Sequence, residues 1–150
     1  MLKTLLSIVF SYCLVIGSAV ADDATIGYVK TVQGDATVTS AGKTSKAVPG
    51  SALLTGDTLR TAKNGSMGVT FKDNTVMSFG PDTELTIDEY LYAPSKGDLK
   101  LSASMSKGTL QYVSGIIAKL KPESVTVKTP TGNIGVRGTR FLVKVDEEKK

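Results

Sequence analysis

From residue 24 onward the chain reads as short runs in which apolar and polar positions alternate, broken every few residues by turn formers. Alternation with period two is the mark of a half-buried strand, because successive side chains leave opposite faces of the backbone. It predicts strands over 26–32, 36–40, 68–71, 75–79, 84–87, 99–102, 109–113, 124–129, 134–137 and 140–145. Between them stand Gly34-Asp35, Pro49-Gly50, Gly56-Asp57, Asn64-Gly65, Asp73-Asn74, Gly80-Pro81, Gly97-Asp98 and Lys121-Pro122. Residues of these types initiate turns through positive φ, fixed φ or side-chain bonds to the backbone. Val69/Phe71, Leu85/Ile87, Leu99/Leu101 and Val125/Val127 place apolar groups on one face, with Thr, Ser and Lys opposite. The fold class is all-β: a compact solenoid-like or sandwich-like stack of short strands with hairpins. No repeat of fixed length supports a regular β-helix. Only 114–120 carries weak helical spacing, as a single turn or a bent strand.

The segment from Val125 to Val145 holds the most local constraints. Pro130 makes Thr129 extended and removes one ladder donor. Gly132-Asn133 between two β runs reads as a two-residue hairpin turn with glycine in its first central position. Ile134 and Val136 are apolar at even positions, Phe141, Val143 and Val145 at odd ones. One face cannot hold both sets without a slip of one residue. A bulge or sharp bend is therefore expected at Arg137-Gly138-Thr139, where glycine tolerates the geometry.

The amino-terminal end belongs to a different category. Lys3 precedes a mainly apolar run over 5–16, followed by Ala19 and Ala21 in an A-x-A pattern and by Asp22-Asp23. This is a secretory signal peptide with cleavage expected after Ala21, since the run is shorter than the roughly 20 residues a spanning helix needs. The chain divides into 1–21 as signal, 22–145 as one domain and 146–150 as a charged tail. Cys13, the single cysteine, falls in the signal and lacks the small residues before it that lipidation needs, so the mature chain folds without a disulfide. The destination is the periplasm or the exterior, with no membrane insertion once the signal is gone. Formal net charge is +4 over 150 residues, one less without Lys3. The lysines are scattered rather than grouped with exposed aromatics, which argues against nucleic acid.

Gly56-Asp57-Thr58-Leu59-Arg60-Thr61, Gly65-Ser66, Phe71-Lys72-Asp73-Asn74, Thr129-Pro130-Thr131-Gly132 and Val136-Arg137-Gly138-Thr139-Arg140-Phe141 occur in an order and spacing that resemble the FecR domain, over residues 27–145. Residues 108–122 fit a common version of it. The resemblance implies an all-β periplasmic fold with solenoid-like stacking, in which Gly56, Asp57, Leu59, Thr61, Gly65, Ser66, Thr129, Pro130, Gly132, Arg137, Gly138, Thr139 and Phe141 are mainly structural. In the iron-citrate regulators such a domain relays a signal from an outer-membrane receptor to a cytoplasmic σ-factor-binding segment. Here only four residues precede the apolar run, so σ-factor binding is not expected, and the iron connection is not carried over.

Catalytic chemistry has little to work with. The chain contains no histidine and the mature part no cysteine, which removes Ser-His-Asp, Cys-His and imidazole or thiolate metal sites together. Asp82/Glu84 and Asp88/Glu89 read as solvated turn acids rather than an acid–base pair. A Ca²⁺ site on Asp82, Glu84 or Asp73-Asn74 lacks regular loop spacing. Gly132-x-x-Gly135-x-x-Gly138 precedes a strand, not a helix that could hold a phosphate. No cofactor, metal or enzymatic activity is expected. The candidate interaction residues are Arg137, Arg140, Tyr90 and Tyr92. Arg137 either meets an acidic partner or, the favoured reading, satisfies turn carbonyls or pairs with Asp57. Tyr90 and Tyr92 share a face, as half-buried packing or, less favoured, as a sugar platform. The expected role is a non-catalytic protein-interaction or assembly module of the cell envelope, as part of a signalling or surface system, with another envelope protein as partner; the alternative is a peptidoglycan or polysaccharide binder.

Overall fold

The computed structural model describes residues 24–147. The expected signal peptide, its expected cleavage point and the end of the charged tail lie outside them. In chain order the strands are β1 (Thr25–Gln33), β2 (Ala36–Ser40), β3 (Lys43–Lys46), β4 (Ala52–Leu54), β5 (Thr58–Thr61), β6 (Ser66–Phe71), β7 (Val76–Phe79), β8 (Glu84–Ala93), β9 (Asp98–Val113), β10 (Val125–Thr129), β11 (Gly132–Gly135) and β12 (Arg140–Val145). A short helix, α1 (Ile116–Leu120), sits between β9 and β10. No helix among the described residues is long and apolar enough to cross a membrane.

The fold is all-β, a twelve-stranded and almost wholly antiparallel sheet curled into two layers. One layer runs β4-β1-β6-β7-β9-β12, the other β3-β2-β5-β8-β9-β10-β11. Strand β9 belongs to both. Its first half lies between β8 and β10, and its second half between β7 and β12. All pairings are antiparallel except β9 with β10. Sixteen residues could not serve two layers without a corner, and Gly108 supplies it at φ +101°. A Cβ on Gly108 would stand 2.2 Å from Thr83 Oγ1, so both the conformation and the space demand glycine.

One core fills the space between the layers. Val29, Leu53, Val69, Met77, Leu110 and Tyr112 point into it from the first layer, and Leu59, Leu85, Ile87, Leu101, Met105 and Val127 from the second. These are the period-two apolar positions, each removed from water at about 25 cal/mol per Å² of apolar surface.

Several expectations need correction. Strands β3, β4 and β5 went unread because β3 has no apolar residue, β4 has three residues, and β5 alternates leucine with a buried threonine. The strands expected at 99–102 and 109–113 are parts of β9, joined through Ala103 and Met105, which keep the inward alternation. The hairpin turn is also displaced. Thr129 pairs with Gly132, so Pro130-Thr131 are its central residues and Gly132 begins the next strand. Proline in the first central position and glycine closing the turn suit an ordinary β-turn, and this outweighs a Gly-Asn dipeptide. The bend at Gly138-Thr139 is present, with Gly138 at φ +112°, and it carries the chain from one layer to the other.

Candidate interaction surface

Most of the motif residues are fasteners. Asp57 is buried; its Oδ1 accepts from Ser40 Oγ at 2.5 Å and its Oδ2 from Leu54 N at 2.8 Å. The Gly56 and Ile87 amides donate to the Ile87 and Asp57 carbonyls, which locks the β4–β5 turn onto β8. Thr61 Oγ1 donates to the Gly80 carbonyl at 2.6 Å and accepts from Thr83 N at 3.0 Å. Leu59 is core. A Cβ on Gly65 would meet the Asp35 carbonyl at 2.2 Å, so two loops touch there, beside half-buried Ser66. Thr129 Oγ1 donates to the Gly132 carbonyl at 2.8 Å across the Pro130 turn. Phe141 stacks on Tyr112 with ring centroids 4.7 Å apart.

The structural reading of Arg137 fails. Asp57 is satisfied by Ser40 and Leu54, not by Arg137. The carbonyls of the bend are also taken: Ser114 Oγ donates to Gly138 O and Ser114 N to Thr139 O, both at 2.8 Å. Arg137 is exposed and makes no hydrogen bond or ion pair to another described residue. It faces a hollow of about 690 Å³ shared with Glu123, Thr126 and Gly135. Arg140 is likewise exposed, beside a hollow of about 380 Å³ that it lines with Gln111, Phe141 and Leu142.

Tyr90 cannot belong to a sugar platform. It is 8% exposed and stacks on Phe71 at 5.4 Å. Its hydroxyl donates to Asp73 Oδ1 at 3.0 Å and accepts from Asp73 N at 2.9 Å. Burial, with the Asp73 charge beside it, pushes the phenol far above its ordinary range. Tyr92 is only half-buried at the rim of the core.

Asp73 was expected at a surface turn and is instead fully buried, the centre of a polar network that sequence reading missed. Its carboxylate also accepts from Thr75 Oγ1 at 2.7 Å and from Ile117 N at 3.2 Å, while its carbonyl accepts from Ile116 N at 2.8 Å. It thereby caps α1 from 44 residues away. Its carboxylate oxygens are engaged by protein donors, an arrangement that does not suit a cation site. The four acids considered as an acid–base pair each face a cation: Asp82 to Lys107, Glu84 to Arg60, Glu89 to Lys100, and Asp88 3.9 Å from Lys128. Lys100 holds the Glu89 carboxyl below its usual value by hydrogen bond and charge. Lys107 is shared by Asp82 and by Glu147 of the tail, both at 2.9 Å, and their bonds raise its pKa.

Charge is distributed unevenly along the fold. Residues 24–113 carry nine cations against eight carboxylates, a net +1. Residues 114–145 carry Lys119, Lys121, Lys128, Arg137, Arg140 and Lys144 against Glu123 alone, a net +5. The surplus of the whole protein sits on α1 and β10–β12, the part that also presents the free edges of β11 and β12. A family model described as FecR protein matches residues 57–150. No curated protein and no solved structure matches the chain.

Proposed function

The chain belongs to the FecR family, a family of signalling and regulatory proteins, and from that premise we propose that it is an exported, non-catalytic module that binds another protein of the cell envelope. The observation that carries the proposal is the basic carboxy-terminal stretch, residues 114–145. There Arg137 and Arg140 are exposed and unpaired among the described residues, next to strand edges that β9 and β10 leave open. Edge strands in this position bind partners by main-chain pairing, with side chains choosing the sequence. Arg140 projects from strand β12, and Arg137 from the segment that joins β11 to β12. The glycan alternative loses its main residue, because Tyr90 is committed to Asp73.

Photo-cross-linking in the native cell tests this. A photoreactive amino acid at Arg137 or Leu142 is expected to trap one envelope protein, identified by mass spectrometry, and the same probe at Lys46 on the far edge is not. Material recovered from the periplasm or medium should begin at Asp22. Identical adducts from all three positions, or Met1 retained on the recovered protein, would reject the proposal.

A further inference from the structure

The free edges of the sandwich are not equivalent. Strand β3 is exposed at all four positions and carries lysine at both ends, the usual protection of an edge. Strand β4 has three residues, and β11 has four, two of them glycine. Strand β12 differs, having six residues, Arg140-Phe141-Leu142-Val143-Lys144-Val145, of which four are apolar. It pairs with β9 through all six and with no other described strand.

Alternation assigns its faces. Phe141, Val143 and Val145 turn toward the core, with Phe141 and Val145 only partly covered there. Arg140, Leu142 and Lys144 turn outward, and Leu142 is 69% exposed. Lys144 touches only Asp146 among the described acids, in a solvent-exposed pair at 3.3 Å, an arrangement worth little. The edge is thus greasy in its middle and cationic at two outward positions four residues apart.

Resting on the reading of the module as a protein binder, we propose that β12 receives an extended peptide strand from an acidic partner, with carboxylates opposite Arg140 and Lys144 and aliphatic side chains opposite 141–143. Directly opposed residues of an added strand share a face, so the outward pair sets acids at positions i and i+4. The inward positions between them pack beside Phe141 and Val143, and so cover Phe141, which the core leaves partly open. Charge complementarity selects this occupant over a second copy, since two β12 edges paired antiparallel about Leu142 would set Arg140 of each directly opposite Lys144 of the other.

A fluorescent peptide with the sequence Glu-Val-Leu-Val-Glu inside a Gly/Ser flank suits the test, because it reads the same in either strand direction. Anisotropy with the full exported chain is expected to show binding that weakens with added salt and falls by about tenfold or more in Arg140→Glu, a change of about 1.4 kcal/mol. Circular dichroism of that variant should be unchanged, as the side chain is exposed. Two further peptides, N-methylated at odd or at even positions, separate strand pairing from surface adhesion: one should lose binding and the other keep it. Absence of binding, equal binding by Arg140→Glu, or equal behaviour of the two methylated peptides would overturn the site. So would sedimentation showing a peptide-free dimer that Arg140→Glu dissolves, which would give the edge to a second copy. If the cross-linked envelope partner survives Arg140→Glu while the peptide fails to bind, the site falls and the binding module stands.

Discussion

Tyr90 and Tyr112 are both buried aromatic residues on the inner face, yet their hydroxyls differ completely. The Tyr90 hydroxyl both donates to and accepts from Asp73. The Tyr112 hydroxyl lies beside Thr75 and Ser114 and finds no partner of good geometry among the described residues. Removing a paired hydroxyl strands its buried partners, whereas removing an unpaired one relieves an uncompensated desolvation. Tyr90→Phe is therefore expected to lower stability by about 2 kcal/mol, and Tyr112→Phe to leave it within about 0.5 kcal/mol or raise it. Urea unfolding of the two variants checks the contrast, and equal losses would mean that the Asp73 network carries no weight. Asp73-Asn74 is legible in the sequence as a turn. That the turn faces inward is not, because its donors come from Tyr90, Thr75 and α1, and only packing assembles them.

Strand β9 decides the architecture by changing layer halfway along. The corner is made at Gly108, where positive φ coincides with a Cβ position already occupied by Thr83. Thr83 Oγ1 in turn accepts from Thr109 N at 3.0 Å and donates to the Gly80 carbonyl at 2.9 Å, so the two strands are stitched at the bend. Gly108→Ala would add backbone strain and a clash together, with an expected cost of about 2–4 kcal/mol. Gly138→Ala meets open space at φ +112° and should cost only the strain, about 1–3 kcal/mol. Thermal unfolding orders the two; a milder effect at Gly108 would contradict the corner. Sequence reading left residues 103–108 unassigned and so read two strands instead of one bent strand, because Ala103 and Ser104 are poor strand formers rescued by their neighbours.

The assembled molecule should respond to alkali in a predictable way. Burial raises the phenol pKa of both Tyr90 and Tyr112 above the ordinary 10.0, so the folded chain keeps protons that the unfolded chain releases. Their contribution is complete below pH 10 and is lost as the pH climbs above it. Lys107 acts in the same sense: its pKa is raised above 10.5 by Glu147 and Asp82, so that tie to the tail is present below 10.5 and lost above the raised value. Stability is expected to fall by up to about 1.4 kcal/mol per pH unit for each buried tyrosine, and their phenolate absorbance to appear only with unfolding. Phenolate forming at both sites in folded protein near pH 10 would refute the burial.

Local pattern was enough for some properties of this chain. Alternating apolar positions specify an all-β class and nearly the whole inner face, because a strand's two sides are set by backbone pleating alone. The parity switch between Val136 and Phe141 required a bend, and one is there. The absence of histidine, and of cysteine from residues 14–150, restricts the available chemistry by itself. Other properties arise only when distant segments meet. Which strands pair, that β9 serves two layers, that Asp73 is buried, and that Ser114 rather than Arg137 satisfies the bend all depend on contacts between residues far apart in the chain. The free arginines follow from the same cause: a side chain becomes available to a partner when its neighbours' carbonyls have already been satisfied by others.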